Sequence, residues 1–305
     1  QGAYGRAYQY GPLGLVVTTT NLDATGAPLI ERAGTVTLNR AYNDFGQMTA
    51  ATWRDADGAL VANSDLVATV AIERDSVGRV VVESYFDADG RPTPKRHTGV
   101  AGVAQMFDDR GNVVAQTYFW TDGEPAISQE YGVARIVAKH DAGGNEVEQH
   151  YFGIDGQPIL ARGVHVASVA RKYDERGNLI EEAYFDADGS PTLRQDVGAA
   201  RIALKYDEHG NLIEESYSGS DGAPISLESS GVARTVLKYD ERGNRVEHAY
   251  FGVDGQPIVR HDVGAAQMTW NYDERGNEVE QAYFGPDGKP TLSTEAGVAR
   301  MSWRY

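Results

Sequence analysis

Aromatic residues are the most regular candidates for binding chemistry in this chain, because they recur as adjacent pairs at one position of a repeat. Rings exposed in a row could stack on a glycan or on a partner protein. Neighbouring residues of a strand point to opposite faces, so one ring of each pair is expected in the core. The other would face solvent or, in the preferred interpretation, lie under a loop carrying Ile159, Ile258 or Leu292 as a lid. The pairs are Tyr85 and Phe86, Tyr118 and Phe119, Tyr151 and Phe152, Tyr184 and Phe185, Tyr250 and Phe251, and Tyr283 and Phe284.

Acidic residues in the sequence DADG could begin a calcium loop, since calcium binds several converging oxygen atoms. This sequence stands at residues 55–58, 87–90 and 186–189. Other repeats read GIDG, GVDG or GPDG, so only Asp-Gly persists, and no Glu follows at a fixed distance. Asp-Gly is typical of turns. We therefore predict a turn that binds no metal ion.

The remaining reactive residue types do not indicate catalysis. Glu208, Glu241 and Glu274 fall in a predicted hairpin turn, where carboxylates are solvated rather than held in a pocket that shifts their pKa. The chain has no cysteine, which excludes thiolate nucleophiles and thiolate metal ligands. We predict no catalytic, cofactor-binding or metal site and no enzyme activity. The histidines occupy different positions of the repeat, so neighbouring repeats would not align them: His97, His140, His150, His165, His209, His248 and His261.

The charge and hydropathy of the chain argue against two classes of partner. Its 305 residues include 28 Lys and Arg against 44 Asp and Glu, a formal net charge of −16. Such a surface repels a nucleic-acid backbone. The mean hydropathy is −0.44, and no apolar run approaches the ~20 residues that a membrane helix needs. We predict a folded chain that binds no nucleic acid and does not insert into a membrane.

Tyrosine and glycine define a tandem repeat. Tyr173, Tyr206, Tyr239, Tyr272 and Tyr305 are 33 residues apart, and the earlier repeats keep a period of 33 or 32. A glycine follows this marker position after four residues, a second ends the Asp-Gly turn, and a third precedes most markers by eight residues. Glycine at fixed places indicates positive φ. We predict a single array over residues 1–305, with nine units, the first strand of a tenth and no separate domain.

Two strands and two turns account for each repeat. Residues such as 232–239 alternate between apolar and mostly polar side chains, which is typical of a half-buried strand A. Asp-x-x-Gly then forms a hairpin turn, and a run such as 245–251 forms strand B. The Asp-Gly turn, a proline and a loop complete the unit. The predicted fold is all-β, with tandem 33-residue hairpins in an elongated, coiled, solenoid-like antiparallel array.

The hairpin sequence resembles the YD repeats of bacterial RHS proteins and of teneurins. The likeness is sharpest in residues 173–178, 206–211, 239–244 and 272–277, and it extends loosely over all nine units. It implies tandem hairpins that build a β shell, which encloses a cargo in toxin systems. The sequence AYFDADG at residues 183–189 is similar to part of the aromatic cell-wall-binding repeats of secreted bacterial proteins. Both resemblances imply a bacterial surface or secreted protein.

The expected function is a structural or adhesive role, without catalysis, outside a bacterial cell or on its surface. The alternatives are a glycan- or cell-wall-binding module that uses the aromatic pairs, and an RHS-like shell fragment of a larger toxin. The sequence begins with Gln1, and residues 1–10 align with residues 296–305, so each end would expose a strand A. Exposed strand edges pair readily with other chains. We therefore expect a longer parent chain, or protein self-association into a head-to-tail fibre.

Overall fold

The computed structural model describes residues 5–31 and 34–305, which are all-β, as the alternation of side chains predicts. These residues form 19 strands, in which odd numbers correspond to strand A and even numbers to strand B. The strands are β1 (Gly5–Tyr10), β2 (Val16–Leu22), β3 (Thr37–Tyr42), β4 (Met48–Arg54), β5 (Thr69–Arg74), β6 (Val80–Phe86), β7 (Gly102–Phe107), β8 (Val113–Phe119), β9 (Arg135–His140), β10 (Glu146–Phe152), β11 (Ser168–Tyr173), β12 (Leu179–Phe185), β13 (Arg201–Tyr206), β14 (Leu212–Ser218), β15 (Arg234–Tyr239), β16 (Arg245–Phe251), β17 (Gln267–Tyr272), β18 (Glu278–Phe284) and β19 (Arg300–Ser302).

The chain divides into two compact units. Unit 1 comprises the described residues up to Ala138 together with Tyr151–Arg162, and unit 2 comprises Lys139–His150 and Gly163–Tyr305. In unit 1, β1 to β8 pair antiparallel in chain order, and β8 pairs with the start of β9. In unit 2, β10 pairs with β11 and antiparallel pairing continues in chain order to β19. The predicted tandem of antiparallel hairpins is confirmed in each unit.

The residues that repeat after the marker tyrosine build the first turn. Gly177 N–H donates to the Asp174 carbonyl oxygen at 3.0 Å, and its φ of 85° favours glycine. The Asp174 carboxylate accepts from the backbone N–H groups of Arg176 and Asn178 at 2.9 and 2.8 Å. It also accepts from the Asn178 side-chain amide at 2.9 Å. Asp-x-x-Gly-Asn recurs because each of its three fixed residues closes this turn.

The marker tyrosine joins one hairpin to the previous one. Tyr173 Oη donates to the Glu146 carbonyl oxygen at 3.1 Å in unit 2. In unit 1, Tyr42 Oη donates to the Val16 carbonyl oxygen at 2.9 Å. Where the sequence has Arg74 at the marker position, its guanidinium donates to the equivalent carbonyl of Met48 from Nε at 3.3 Å and Nη2 at 3.1 Å. The marker position therefore supplies a donor that reaches the start of the preceding strand B.

After strand B, the chain makes the second turn and pairs briefly with the strand it has left. Asp186 N–H donates to the Ser190 carbonyl oxygen at 2.8 Å, and Pro191 forms an isolated bridge with Phe185. Proline has no N–H to continue a ladder. Thr192 adds one bond, from its N–H to the Tyr184 carbonyl oxygen at 3.0 Å. The loop then begins on the tyrosine side of the sheet.

Several loops contact the loop of the previous repeat through their backbone. Gln129 N–H donates to the Thr98 carbonyl oxygen at 2.7 Å in unit 1, and Gln195 N–H donates to the Val164 carbonyl oxygen at 3.0 Å in unit 2. Successive repeats are therefore joined at their loops as well as between their strands.

The core lies between the sheet and these loops. Val232 and Ala233, just before β15, are both almost fully buried. The Val232 carbonyl accepts from Leu227 N–H in the loop, whereas Ala233 N–H donates to the Phe251 carbonyl in the sheet. Strict alternation along the strand predicts that Val232 lies on the mostly polar face. This prediction is wrong, because the loop covers Val232. The equivalent buried pairs are Val67 and Ala68, Val100 and Ala101, Val133 and Ala134, Val166 and Ala167, Ala199 and Ala200, and Ala265 and Ala266.

The third glycine position keeps a left-handed backbone even where glycine is absent. Gly231 and Gly264 have φ of 77°, and at the same position Leu66 has φ of 69° and His165 has φ of 54°. This conformation costs a residue other than glycine about 1–2 kcal/mol. The packing of the loop therefore imposes the turn on these two residues.

Candidate functional site: the aromatic rows and the groove beside Phe185

The two rings of an aromatic pair lie on opposite faces of the sheet. Tyr184 is fully buried whereas Phe185 is half-buried, and Tyr250 and Phe251 differ in the same way. The tyrosine is therefore the ring that faces the core. Buried tyrosines with half-buried phenylalanines also occur at Tyr85 and Phe86, Tyr118 and Phe119, and Tyr283 and Phe284, whereas Tyr151 and Phe152 are both half-buried.

Buried tyrosine rings lie beside basic side chains that come from the loop. The guanidinium carbon of Arg194 is 5.3 Å from the centroid of the Tyr184 ring in unit 2. In unit 1, Lys95 Nζ is 5.3 Å from the centroid of the Tyr85 ring. These are cation–π distances, and burial raises the pKa of the Tyr184 hydroxyl well above its usual range. The rings of Tyr85 and Tyr184 are therefore covered by protein atoms, including side chains of the loop.

Phenylalanine rings pack against the residue opposite them on strand A. The guanidinium carbon of Arg234 is 4.3 Å from the centroid of the Phe251 ring, which is its cross-strand partner. Gly102 lies opposite Phe119, and a Cβ atom added at Gly102 would be 2.1 Å from that ring. In these two pairs the cross-strand residue lies against the ring, and the use of this row by a glycan or a partner protein stays a prediction.

The residues predicted to form a lid do not share one environment. Ile258 packs against a buried cluster that includes Tyr250 and Val232, so it covers the tyrosine face. Leu292 is 64% exposed, and the prediction that it covers an aromatic ring is wrong. Leu292 follows its proline by two residues and Ile258 by one, and consecutive residues of an extended segment point in opposite directions. Ile159 is half-buried.

Carboxylates lie beside the phenylalanine row in unit 2, each between basic side chains of two hairpins. Glu181 accepts from Lys172 Nζ at 3.0 Å and from Arg201 Nη2. Glu214 is paired with Lys205 at 2.7 Å and Arg234 at 3.1 Å. Burial opposes ionisation of both carboxyl groups, but the bonds from these cations outweigh it and lower their pKa. The arrangement pairs each of these two carboxylates with cations of the protein itself.

The phenylalanine row is interrupted in unit 2 by Ser218. Ser218 is the cross-strand partner of Arg201, in the place where Phe251 faces Arg234 one repeat later. A groove of about 250 Å³ lies beside this interruption, on the same unit. Its lining includes Lys172, Glu181, Phe185, Pro191, Arg201 and Ser220. Sequence analysis missed this groove, although the replacement of YF by YS at residues 217–218 is a visible break in the repeat.

A second departure from the repeat lies at the first turns of unit 1. Phe45 is 87% exposed and Val77 is 71% exposed, and both line a groove of about 560 Å³. Leu13 is an exposed apolar residue at the same position of an earlier turn. Sequence analysis missed these residues too, and the signal was the change of residue type at one repeat position. In the later repeats that position holds Arg110, Gly143, Arg176, His209, Arg242 and Arg275.

The Asp-Gly turn uses its carboxylates to bind its own backbone. Asp87 accepts from the N–H groups of Asp89 and Arg91 at 2.9 and 2.8 Å. Asp188 accepts from the backbone N–H and the hydroxyl of Ser190 at 2.8 and 2.6 Å, and the hydroxyl bond holds the pKa of Asp188 below its usual range. Over residues 5–31 and 34–305, no three His, Cys, Asp or Glu side chains are grouped so that they could hold a metal ion.

The other acidic and histidine candidates occupy separate places. Glu208, Glu241 and Glu274 are exposed at hairpin turns, and the Glu274 carbonyl oxygen accepts from Arg242 at 2.7 Å. His97 Nδ1 lies 2.6 Å from an oxygen of Asp65 at the surface of unit 1. The described part of the chain contains no helix long and apolar enough to span a membrane.

Comparison with known proteins does not assign the chain to a family. No protein-family model matches the chain, and no curated protein is significantly similar to it. Among solved structures, the crystal structures of TcdB2-TccC3-Cdc42 and TcdB2-TccC3 are each 12% identical, with TM-scores of 0.47 and 0.44. These alignments cover 98% and 91% of this chain but only 13% and 14% of those chains. The Tc holotoxin pore of Photorhabdus luminescens is 13% identical over 98% of this chain and 19% of that chain, with a TM-score of 0.23. The chain therefore spans less than a fifth of the length of these structures.

Proposed function

We propose that the chain is a non-enzymatic β-repeat protein with a structural or adhesive role, outside a bacterial cell or on its surface. One observation carries the proposal: the polar side chains that recur in the repeat are used to build it. Asp174 and Asn178 close a turn, Tyr173 joins two hairpins, and Glu181 pairs with cations of two hairpins. A repeat whose polar groups bind one another supports a role as a scaffold.

The extracellular location is supported by the two sequence resemblances and by the acidic composition. The YD-like hairpins and the AYFDADG sequence both resemble segments of bacterial surface or secreted proteins. A net charge of −16 favours a well-solvated protein. Protein partners, including further copies of this chain, are the partner class that fits a scaffold.

Protease treatment of intact cells of the source organism tests the location. Antibodies against the chain should detect its loss from washed intact cells, or its presence in the culture medium, while a cytosolic marker protein stays uncleaved inside. Recovery of the whole chain only from the lysed cytosol would refute the extracellular role. Antibody blocking of cell attachment then separates an adhesive role from a purely structural one.

A segment of an RHS-like shell is a second candidate, favoured by the Tyr-Asp hairpins of residues 173–178 and 239–244. This candidate predicts that the native protein surrounds another polypeptide and protects it from protease. Limited proteolysis of native material, followed by mass spectrometry, would detect such a cargo. Complete digestion of every copurifying polypeptide would exclude the shell and leave the scaffold.

A further inference from the structure

The interruption at Ser218 leaves one arginine without the ring that its counterpart contacts. Arg234 stacks on Phe251 and pairs with Glu214 at 3.1 Å. Arg201 has the equivalent ion pair, with Glu181, but its cross-strand partner is Ser218. The two arginines thus share a strand position and a carboxylate partner, and they differ in the presence of a ring opposite.

The space beside Arg201 is open because its neighbours are small. Ala183 pairs with Arg201 on one side and Ser218 on the other. The groove of about 250 Å³ extends from Arg201 to Phe185 and is bordered by Gly219 and Ser220. This volume lies below the roughly 300–1,000 Å³ of pockets for drug-sized ligands. It suits one side-chain ring with its flanking backbone.

We propose that this groove binds an aromatic side chain, phenylalanine or tyrosine, from an extended segment of a partner protein. The ring would lie against the Arg201 guanidinium, as Phe251 lies against Arg234, and would contact Phe185 at the other wall of the groove. The Lys172 ammonium group also lines the groove and, besides its bond to Glu181 at 3.0 Å, has further N–H groups to donate to a carbonyl group of the bound segment. The repeat itself indicates an aromatic occupant, because the bound ring would take the place of the phenylalanine ring that residue 218 lacks.

An aromatic ligand of this kind would be a partner of the scaffold proposed above. The binding test does not depend on where the protein is located. N-acetyl-L-tyrosinamide, titrated into the purified chain and followed by the backbone amide NMR signals of Ser218, Gly219 and Ser220, reports on the groove directly. We expect saturable shifts with a dissociation constant on the order of 1 mM, as befits a small ligand with one anchoring ring. Shifts that do not saturate, or that occur elsewhere, would overturn the proposal.

Ser218→Phe is the matched variant, because it restores the ring found in the neighbouring repeats. It should keep or raise the melting temperature and abolish the saturable shifts. Should Ser218→Phe fail to fold, Arg201→Gln serves instead, since Gln267 holds this position two repeats later. It should weaken binding about 3- to 10-fold by removing the cation–π contact. Undiminished binding to a folded variant would refute the assignment.

A sugar titration distinguishes the competing class of ligand. Chitobiose and cellobiose, tested under the same conditions, should produce no saturable shift at the groove. Saturable binding of either sugar with no response to N-acetyl-L-tyrosinamide would overturn the proposal in favour of a glycan site.

Discussion

Single residues of the repeat are fixed by what the backbone requires of them. The carboxylate of Asp240 accepts two backbone N–H groups and the Asn244 amide, and Gly243 closes the same turn with φ of 82°. The side chain of Arg242, between them, is exposed and donates to the Glu274 carbonyl oxygen of the next turn. The residues that vary between repeats are therefore those whose side chains the turn does not use.

We predict that Gly243→Val lowers the free energy of unfolding by about 2 kcal/mol or more, because a β-branched residue is strained at positive φ. No atom lies within 4 Å of a Cβ added there, so the cost is one of backbone conformation rather than of a clash. Arg242→Ala should cost less than about 1 kcal/mol, since it removes one exposed bond. Urea titrations of the two variants measure the difference, and equal losses would contradict the turn assignment.

Introducing glycine should stabilise the protein at Leu66, which is 47% exposed and has φ of 69°. Leu66→Gly should raise the free energy of unfolding by about 0.5–1 kcal/mol, because relief of backbone strain exceeds the added entropy of the unfolded chain. Ile127→Gly, at another partly exposed loop residue of unit 1, is the control and should destabilise. Thermal melts of both variants test this, and a loss of stability in Leu66→Gly would show that the leucine side chain contributes more than its strain costs.

At the scale of elements, the hairpins are joined by bonds of three kinds. Strand B pairs with the following strand A over three residue positions, as in Glu181↔Ala203 to Ala183↔Arg201. The marker tyrosine adds a bond to the preceding hairpin, and the loops add a backbone bond between repeats. Because each repeat binds mainly its neighbours in sequence, its stability depends on them.

Removing one marker hydroxyl should weaken the link between two hairpins. We predict that Tyr173→Phe lowers the free energy of unfolding by about 1 kcal/mol, since the partly buried Glu146 carbonyl oxygen loses a donor at 3.1 Å. Tyr10→Phe is the control, because that marker side chain is largely exposed. Hydrogen exchange of the β10 and β11 amides should show faster opening in the Tyr173 variant only. Equal effects of the two substitutions would mean that the bond does not stabilise the hairpin junction.

For the molecule as a whole, acid stability depends on groups of two kinds. Burial, with the nearby charges of Arg245 and Arg260, lowers the pKa of His248 to about 4. Its ordinary value is about 6.5, so the unfolded chain binds a proton between pH 6.5 and 4 that the folded chain does not. The paired carboxylates Glu181 and Glu214 have pKa values below their usual range, and their contribution is lost only at lower pH. Stability should therefore fall in two stages on acidification.

Replacing His248 by glutamine, the residue at the same position of β18, isolates the first stage. The wild-type protein should lose about 2 kcal/mol of stability between pH 6.5 and 4 through this histidine, after allowance for partial solvent screening. His248→Gln should lose correspondingly less over that range and behave like the wild type below pH 4. Denaturant titrations at pH 7, 5.5 and 4 measure this, and parallel curves for the two proteins would refute the assignment.

Calcium should leave the stability of the protein unchanged. The turn carboxylates Asp87 and Asp188 each use Oδ1 to accept hydrogen bonds from their own turn, and in the described part of the chain no three acidic or histidine side chains are grouped around a common point that could hold an ion. Melting curves in 5 mM chelator and in millimolar calcium should coincide. An increase of several degrees with calcium, but not with magnesium, would show that a specific site exists.

The sequence alone determined the strands, the turns and their period, because these depend on local backbone requirements. Glycine at positive φ, Asp and Asn at a turn, and alternation of side chains act over a few residues and can be read in any repeat. Because the side chains of a strand alternate, the sequence shows that Tyr184 and Phe185 lie on opposite faces of the sheet. Which face is the covered one does not follow.

Tertiary structure decided what the loops cover, because that depends on contacts between residues distant in the chain. The loop buries Val232 as well as Ala233, sends Leu292 to the surface rather than over a ring, and holds Leu66 in a left-handed conformation. The groove beside Ser218 also depends on contacts between residues that are distant in the chain. The missing ring is visible in the sequence, but the groove beside that position is lined by Arg201 and Phe185, which strand pairing brings alongside.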